Sequence, residues 1–285
     1  MMRETDFSEV LRNKKVFITG HTGFTGSWIS IWLEKIGAEI FGFALPPVTT
    51  PNLFTEAGLD KRISGTLADI RDFEALCDSM LNFQPDLVLH LAAQPLVRSS
   101  YEFPRETFDV NTQGTANLLE AARRTPSVRG VLCITTDKVY KNIEANYKYK
   151  ESDRLGGKDP YSASKAAAEL IVASYRDSFY EKSSARLAVA RGGNIIGGGD
   201  WSEDRLIPDF MKAYETAKPI TIRNPEATRP WQHVLALAEG YLTILAGLVG
   251  PNAEKFSQCF NLGPLEIESF SVQQVLTELA DKCQE

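Results

Sequence analysis

The sequence predicts an α/β fold, a doubly wound parallel sheet with a smaller irregular region laid over it. Three observations carry this. Apolar runs alternate with amphipathic stretches through the first two thirds of the chain, as βαβ units require. A glycine-rich turn, GHTGFTG (20–26), follows the first apolar run and opens the first amphipathic one. Tyr161 and Lys165 stand four apart at the head of a later helical segment, so they share one helix face.

Taken in order, KVFIT (15–19) is a buried-strand run ending at Gly20, and Phe24 to Lys35 carries apolar residues at helical spacing (Phe24, Trp28, Ile31, Trp32). Strands are expected at 38–44, 62–67 and 86–91, with FEALCDSMLNF (73–83) as the helix between the last two. Asn111–Arg123 is helical by periodicity and alanine content and leads into a strand at 130–135. The polar stretch 137–159, with Gly156-Gly157, is a loop long enough to be functional. A helix from Pro160 to about Tyr180 and a sixth strand, RLAVAR (186–191), complete the regular part. Residues 1–191 are expected to form the dinucleotide-binding unit with the catalytic residues, and 192–285, richer in Gly, Pro and Trp, mainly the substrate region. The final FSVQQVLTELADKCQE is an amphipathic helix with no stop signal at Glu285, so a substrate region running past that residue is expected.

Composition narrows the function. The 285 residues are 43% apolar and 24% charged, a globular balance, and no stretch nears the roughly 18 apolar residues a membrane helix needs. MMRETDFSEVLRNKK has no apolar core of a secretory signal, so a cytoplasmic protein is expected. Cys77, Cys133, Cys259 and Cys283 are far apart with no CxxC, which argues against disulfides and a metal site. A net charge of −6 without a basic run argues against nucleic acid, so an anionic ligand must be held locally.

GHTGFTG has the context of a Rossmann-like dinucleotide turn. Gly20, Gly23 and Gly26 let the backbone turn sharply and approach a pyrophosphate, with the helix N-terminus facing the anion. Phe24 and Thr25 belong to the same loop, and a protonated His21 would favour phosphate while a neutral one would fill space. Asp69 can accept from an adenine amino group with Ile70 packed on the ring; helix capping is the competing role, and Asp72 is a rival for it. The second strand ends in FGFALPP (41–47), with no cation for a 2′-phosphate, which favours NAD over NADP. For Tyr161, a cation such as Lys165 nearby would lower the phenol from about 10 toward the working range, letting it take a proton from a sugar hydroxyl, and Lys165 can also hold the cofactor ribose.

GHTGFTG, LAAQPLV (91–97), VNTQGT (110–115), TTDKVY (135–140) and YSASK (161–165) together resemble the extended short-chain dehydrogenase/reductase family, in particular its sugar-nucleotide 4,6-dehydratases. The likeness runs from residue 14 to about 263. Thr136-Asp137-Lys138 resembles the members that act on a cytidine sugar, whereas the dTDP-glucose and GDP-mannose enzymes carry an acidic residue at the third position. The resemblance implies CDP-glucose or a related nucleotide sugar as substrate and NAD as cofactor. It further implies Tyr161 as base at the 4-hydroxyl with Thr136 bonded to it, then elimination across C5 and C6; we assign Lys138 as its base and Asp137 as its acid. Lys138, ordinarily near 10.4, must then be depressed by burial or by a cation such as Lys165. By the same resemblance Leu91, Ala92 and Ala93 line the cofactor, Gln94 lies near the sugar and Asn194 meets the pyrophosphate.

Arg191, Arg205 and Arg229 are candidates to pair with phosphates. Trp201 and Trp231 are read as core, Asn111 as a residue fixing backbone geometry, and His90 and His233 as packed polar residues. Thr112–Arg124 and Tyr161–Tyr180 are long helices of the kind that pair in this family's dimers, which implies a homodimer or higher homo-oligomer. Three alternatives compete: a sugar-nucleotide 4-epimerase or a dehydratase for another nucleotide, an NADPH-consuming reductase, and an NAD-sensing scaffold without chemistry. Asp137-Lys138 argues against the epimerase, and the joint presence of Thr136, Tyr161 and Lys165 against the scaffold.

Overall fold

In KVFIT, Val16 and Ile18 point to one face and Phe17 to the other, the period-two alternation of a strand. All three are fully buried because helices cover both faces. A computed structural model describes residues 6–143, 147–264 and 270–283. Its strands are β1 (Lys15–Thr19), β2 (Glu39–Ala44), β3 (Ser64–Leu67), β4 (Leu87–His90), β5 (Gly130–Thr136), β6 (Arg186–Gly192) and β7 (Cys259–Leu262). They form one sheet in the order β7-β6-β5-β4-β1-β2-β3, and every neighbouring pair is parallel. The Rossmann-like doubly wound sheet expected from the sequence is therefore present. The winding reverses between β1 and β4, and the crevice beyond the carboxyl ends there is where such sheets bind ligands.

The principal helices are α1 (Phe24–Ile36), α2 (Phe73–Phe83), α3 (Gly114–Arg124), α4 (Pro160–Tyr175), α5 (Leu206–Glu215), α6 (Val234–Gly247) and α7 (Val272–Lys282). One face of the sheet packs Val16, Ile18, Leu87 and Leu89 against Leu33 of α1 and Tyr241 and Leu245 of α6. The other packs Phe17, Val88 and Val131 against Met80, Leu118 and Val172 of α2, α3 and α4.

Several boundaries shift for local reasons. α1 buries Gly26, Ile29, Leu33 and Ile36; Phe24, Trp28, Ile31 and Trp32, the apolar positions read from the sequence, lie at its half-buried edge. Gly37, at φ 85°, stops that helix, and the Ala38 amide closes back on Leu33, so β2 starts at Glu39. A 3₁₀ turn over Leu59–Lys61 delays β3 to Ser64. The helix expected from Asn111 begins as a π-wound turn, Asp109–Gln113, and α4 ends in another, Arg176–Tyr180. Nothing in the sequence announces β7: CFNL is four half-buried residues, too short to show a period. It adds the strand beside β6, while α6 covers the sheet face below it.

Candidate active site

The cleft at the carboxyl ends has a volume of about 810 Å³. Its floor is the Gly20–Gly26 turn. Gly20 sits at φ 77°, and a Cβ there would come within 2.7 Å of the Ala92 nitrogen; one on Gly26 would lie 2.2 Å from the Gly20 carbonyl oxygen. Only glycine lets turn, strand end and helix approach this closely. No side chain caps α1, so its first-turn amides face the cleft with their dipole free for an anion. This cradle fits a dinucleotide pyrophosphate, and Ala92, Ala93 and Leu91 form the adjoining wall.

Asp69 and Ile70 also line the cleft. The competing role for Asp69 falls to Asp72, whose side chain caps α2 through the Ala75 amide. Arg71 grips Asp69 at 2.9 and 2.6 Å and holds its carboxyl below the usual range. His21 does not face the cleft as a cation. It is 2% exposed, stands edge-on to Phe54, and burial pushes its imidazole down to about 4. The space it fills exists because residue 42 is glycine; a Cβ there would meet the ring at 2.4 Å. Beyond β2 the cleft is lined by Ala44, Leu45, Pro46 and Pro47, with no cation among them.

The Thr-Asp-Lys segment leaves the end of β5, where Thr136 is paired in register with Gly192. Thr136 is buried next to Tyr161 and donates from Oγ1 to Asp137 Oδ1 at 3.0 Å. Lys138 Nζ lies 3.5 Å from Asp137 Oδ1 and 3.4 Å from Asn194 Oδ1. Thr136, Lys138, Tyr161, Lys165 and Asn194 all line the cleft. Asp159 caps α4 through the Ser162 amide, and Pro160 sits in its first turn, which fixes Tyr161 and Lys165 on the wall.

Two electrostatic expectations are not met. Burial pushes the Tyr161 phenol up to about 12, with the Thr136 hydrogen bond working against it, and Lys165 is not among the groups acting on it. The Lys165 ammonium instead donates to the Ile134 carbonyl at 3.2 Å, and burial lowers it to about 8. Lys138 is not buried: its side chain is 41% exposed and faces Asp137.

The substrate end keeps some candidates and loses others. Arg205 and Arg229 line the cleft, Arg205 bonded to Asp200 at 3.0 Å. Arg191 is 3% exposed and tied to Glu169, so it is not free for a phosphate. Gln94 does not line the cleft: its amide is spent on Leu96 and Thr107. Trp201 and Trp231 are half-buried on the cleft wall, not in the core. Asn111 ties Gln94's backbone to Ser164, His90 is buried between Thr19 and Thr115, and His233 is an exposed cap on α6. The sequence showed nothing of the pair Arg98–Asp204, which joins the two cleft-lining segments across 106 residues. No pattern links residues so far apart. Among the described residues, no group of three His, Cys, Asp or Glu is placed to hold a metal, and no helix is long and apolar enough to cross a membrane.

Residues 16–263 match the NAD dependent epimerase/dehydratase family, and the chain belongs to it. Among curated relatives, it is 45% identical to CDP-glucose 4,6-dehydratase of Salmonella typhimurium, over 94% of this chain and 76% of that protein. It is 29% identical to CDP-paratose 2-epimerase of Salmonella typhi, over 94% and 84%. Among solved structures, UDP-glucose 4-epimerase of Thermus thermophilus in complex with NAD superposes with a TM-score of 0.80 at 26% identity, covering 95% of this chain and 84% of that one. The dTDP-glucose 4,6-dehydratase of Streptomyces venezuelae shares the fold, with a TM-score of 0.80 at 23% identity over 95% and 81%.

Proposed function

We propose that this protein is an NAD-dependent sugar-nucleotide 4,6-dehydratase that converts CDP-D-glucose to CDP-4-keto-6-deoxy-D-glucose and water. The observation that carries the proposal is Thr136, Lys138 and Tyr161 lining one cleft whose floor is a dinucleotide cradle, with Asp137 behind that wall in contact with both Thr136 and Lys138. The 45% identity to the Salmonella typhimurium enzyme supports the cytidine sugar.

NAD, when bound, supplies the hydride acceptor and donor that links C4 to C6. Gly20, Gly23, Phe24, Thr25 and Gly26 hold its pyrophosphate, Asp69 and Ile70 its adenine, and Lys165 its ribose. Tyr161, as the phenolate that the positive nicotinamide of bound NAD would favour against its burial, takes the proton of the 4-hydroxyl while Thr136 orients that hydroxyl. The resulting ketone makes the C5 proton acidic. Lys138 removes it, and Asp137 gives a proton to O6 as water departs. The facing pair suits this division: moving one proton from the Lys138 ammonium to the Asp137 carboxylate creates the base and the acid together. Closure of the substrate over the pair excludes water and favours that neutral form. Lys138 returns its proton to C5, and Tyr161, Thr136 and Asp137 stand in series, so the proton gained from O4 replaces the one lost to O6. No oxidant is consumed overall. Asn194, Arg205 and Arg229 hold the nucleoside diphosphate.

A 4-epimerase shares Tyr161 and Lys165 but has no use for an acid and base at C5 and C6. We further propose a cytoplasmic homodimer or higher homo-oligomer; Phe108, Leu170 and Phe179 on the outer helices remain exposed in the single chain.

The test is incubation with NAD and, separately, CDP-glucose, dTDP-glucose, GDP-mannose and UDP-glucose, followed by mass spectrometry. Loss of one water from CDP-glucose alone is expected. Water loss from another sugar overturns the cytidine assignment, conversion without mass change makes the protein an epimerase, and stoichiometric loss of NADPH makes it a reductase.

A further inference from the structure

The buried ion pair behind the cleft touches neither cofactor nor substrate in this scheme, yet its hydrogen bonds converge on the catalytic turn. Arg191 on β6 and Glu169 on α4 are 3% and 2% exposed and meet through a bidentate contact, Nη2 to Oε2 at 2.5 Å and Nε to both carboxylate oxygens at 3.0 Å. Glu169 Oε1 accepts from Thr135 Oγ1 at 2.6 Å. Arg191 Nη1 donates to Tyr140 Oη at 2.6 Å, and the guanidinium lies 4.8 Å from the centre of the Tyr140 ring. Thr135 immediately precedes the turn that carries Thr136, Asp137 and Lys138, and Tyr140 closes it. The ion pair thus grips the turn at both ends, one end through each partner. The same Arg191 Nη1 reaches the Glu151 carbonyl at 3.1 Å, which ties down the long loop beyond.

We infer that Glu169 and Arg191 are positioning residues for the elimination step: through Thr135 and Tyr140 they fix where Asp137 and Lys138 stand relative to Tyr161. Burying two charges is costly even when paired, and similar stability could come from apolar packing. The geometry gives the charges a use that apolar side chains lack, since only they hold two hydroxyls in fixed directions. The half-exposed Asp137 and Lys138 have few restraints of their own: they bond to Thr136, Asn194 and each other. Tyr161 is held independently by the capped start of α4 and by the Ser164–Asn111 bond one turn on. Loosening the bracket therefore disturbs elimination, whose acid and base both stand on the turn, more than oxidation, which draws only Thr136 from it.

This inference rests on the proposed dehydratase reading, and its test separates the two. Replacing Arg191 or Glu169 leaves the partner charged and buried, which destabilises the fold for a reason unrelated to positioning. Thr135→Val and Tyr140→Phe each remove one hydroxyl of the bracket and leave the ion pair's own contacts in place; the second also removes the bond from Tyr140 Oη to Asn261 Oδ1. In the double variant, amide hydrogen exchange over residues 136–143 is expected to quicken about tenfold, the scale of one or two lost hydrogen bonds, while exchange in β1 is unchanged. In a single turnover with CDP-glucose, water loss is expected to slow about tenfold and by a larger factor than oxidation, so reduced nicotinamide accumulates on the enzyme. A general loss of stability would lower both steps by the same factor and leave their ratio alone. Equal slowing of both steps, no slowing of either, or unaltered exchange overturns the inference. If the wild-type protein dehydrates none of the four sugars, the functional reading fails, and the exchange measurement still decides whether the bracket holds the turn.

Discussion

Lys138 Nζ stands 3.5 Å from Asp137 Oδ1; the two side chains are 41% and 36% exposed, and Lys138 lines the cleft. In the proposed scheme these are the acid and the base of one elimination, and they stand side by side. Their exposure in the ligand-free protein means that substrate itself must complete the dry environment. Tyr161 is already enclosed. Enclosure shields the phenol from water but also raises it, so its use as a base depends on a cation brought by the bound cofactor.

Tyr161→Phe is expected to abolish both oxidation and dehydration. The same variant reports the environment of the phenol. The difference titration between wild type and variant, followed by tyrosinate absorbance without cofactor, is expected to fall near 12 rather than 10, because burial disfavours the charged form. Dehydration at the wild-type rate removes Tyr161 from the scheme.

Gly26→Ala places a methyl 2.2 Å from the Gly20 carbonyl oxygen, so the phosphate turn must move. Weakened NAD affinity is expected, by tenfold or about 1.4 kcal/mol at least, read by fluorescence titration. Gly198→Ala, where a Cβ meets nothing within 4 Å, is the matched control.

Acid stability depends on two buried imidazoles. His21 and His90 are pushed down to about 4 and about 3 from an ordinary 6.5, both chiefly by burial. The unfolded chain binds their protons near pH 6.5, the folded chain only below those values. Stability therefore falls as pH drops from 6.5 toward 4, by up to about 1.4 kcal/mol per unit for each ring. His21→Phe keeps the edge-on contact with Phe54 in kind and removes one titration. Its urea-unfolding free energy relative to wild type is expected to improve by about 2 kcal/mol between pH 7 and pH 5; a constant difference contradicts the assignment.

What the sequence made legible follows physical locality. β1, the GHTGFTG turn and α1 are contiguous, and each has a periodicity or a glycine requirement of its own, so strand, turn and helix were readable together. Thr136 to Lys138 and Tyr161 to Lys165 are likewise short patterns with chemical meaning. Long-range facts were not readable. Arg191 carried a charge suited to phosphate, but Glu169, 22 residues earlier on another element, claims it. Gln94 had the polarity to meet a sugar, but the bend after β4 uses its amide to close itself. His21 was decided by the absence of a side chain at Gly42, on a neighbouring strand. β7 is drawn into the sheet by the open edge of β6, which four residues of CFNL do not announce.

The central claim is tested most directly by Lys138→Met in a single turnover with CDP-glucose and NAD, following reduced-nicotinamide absorbance and product mass in the same sample. The scheme predicts that oxidation proceeds and stalls: the absorbance rises and persists, and no water is lost from the sugar. Water loss at the wild-type rate would contradict it, because the base for C5 would then stand elsewhere.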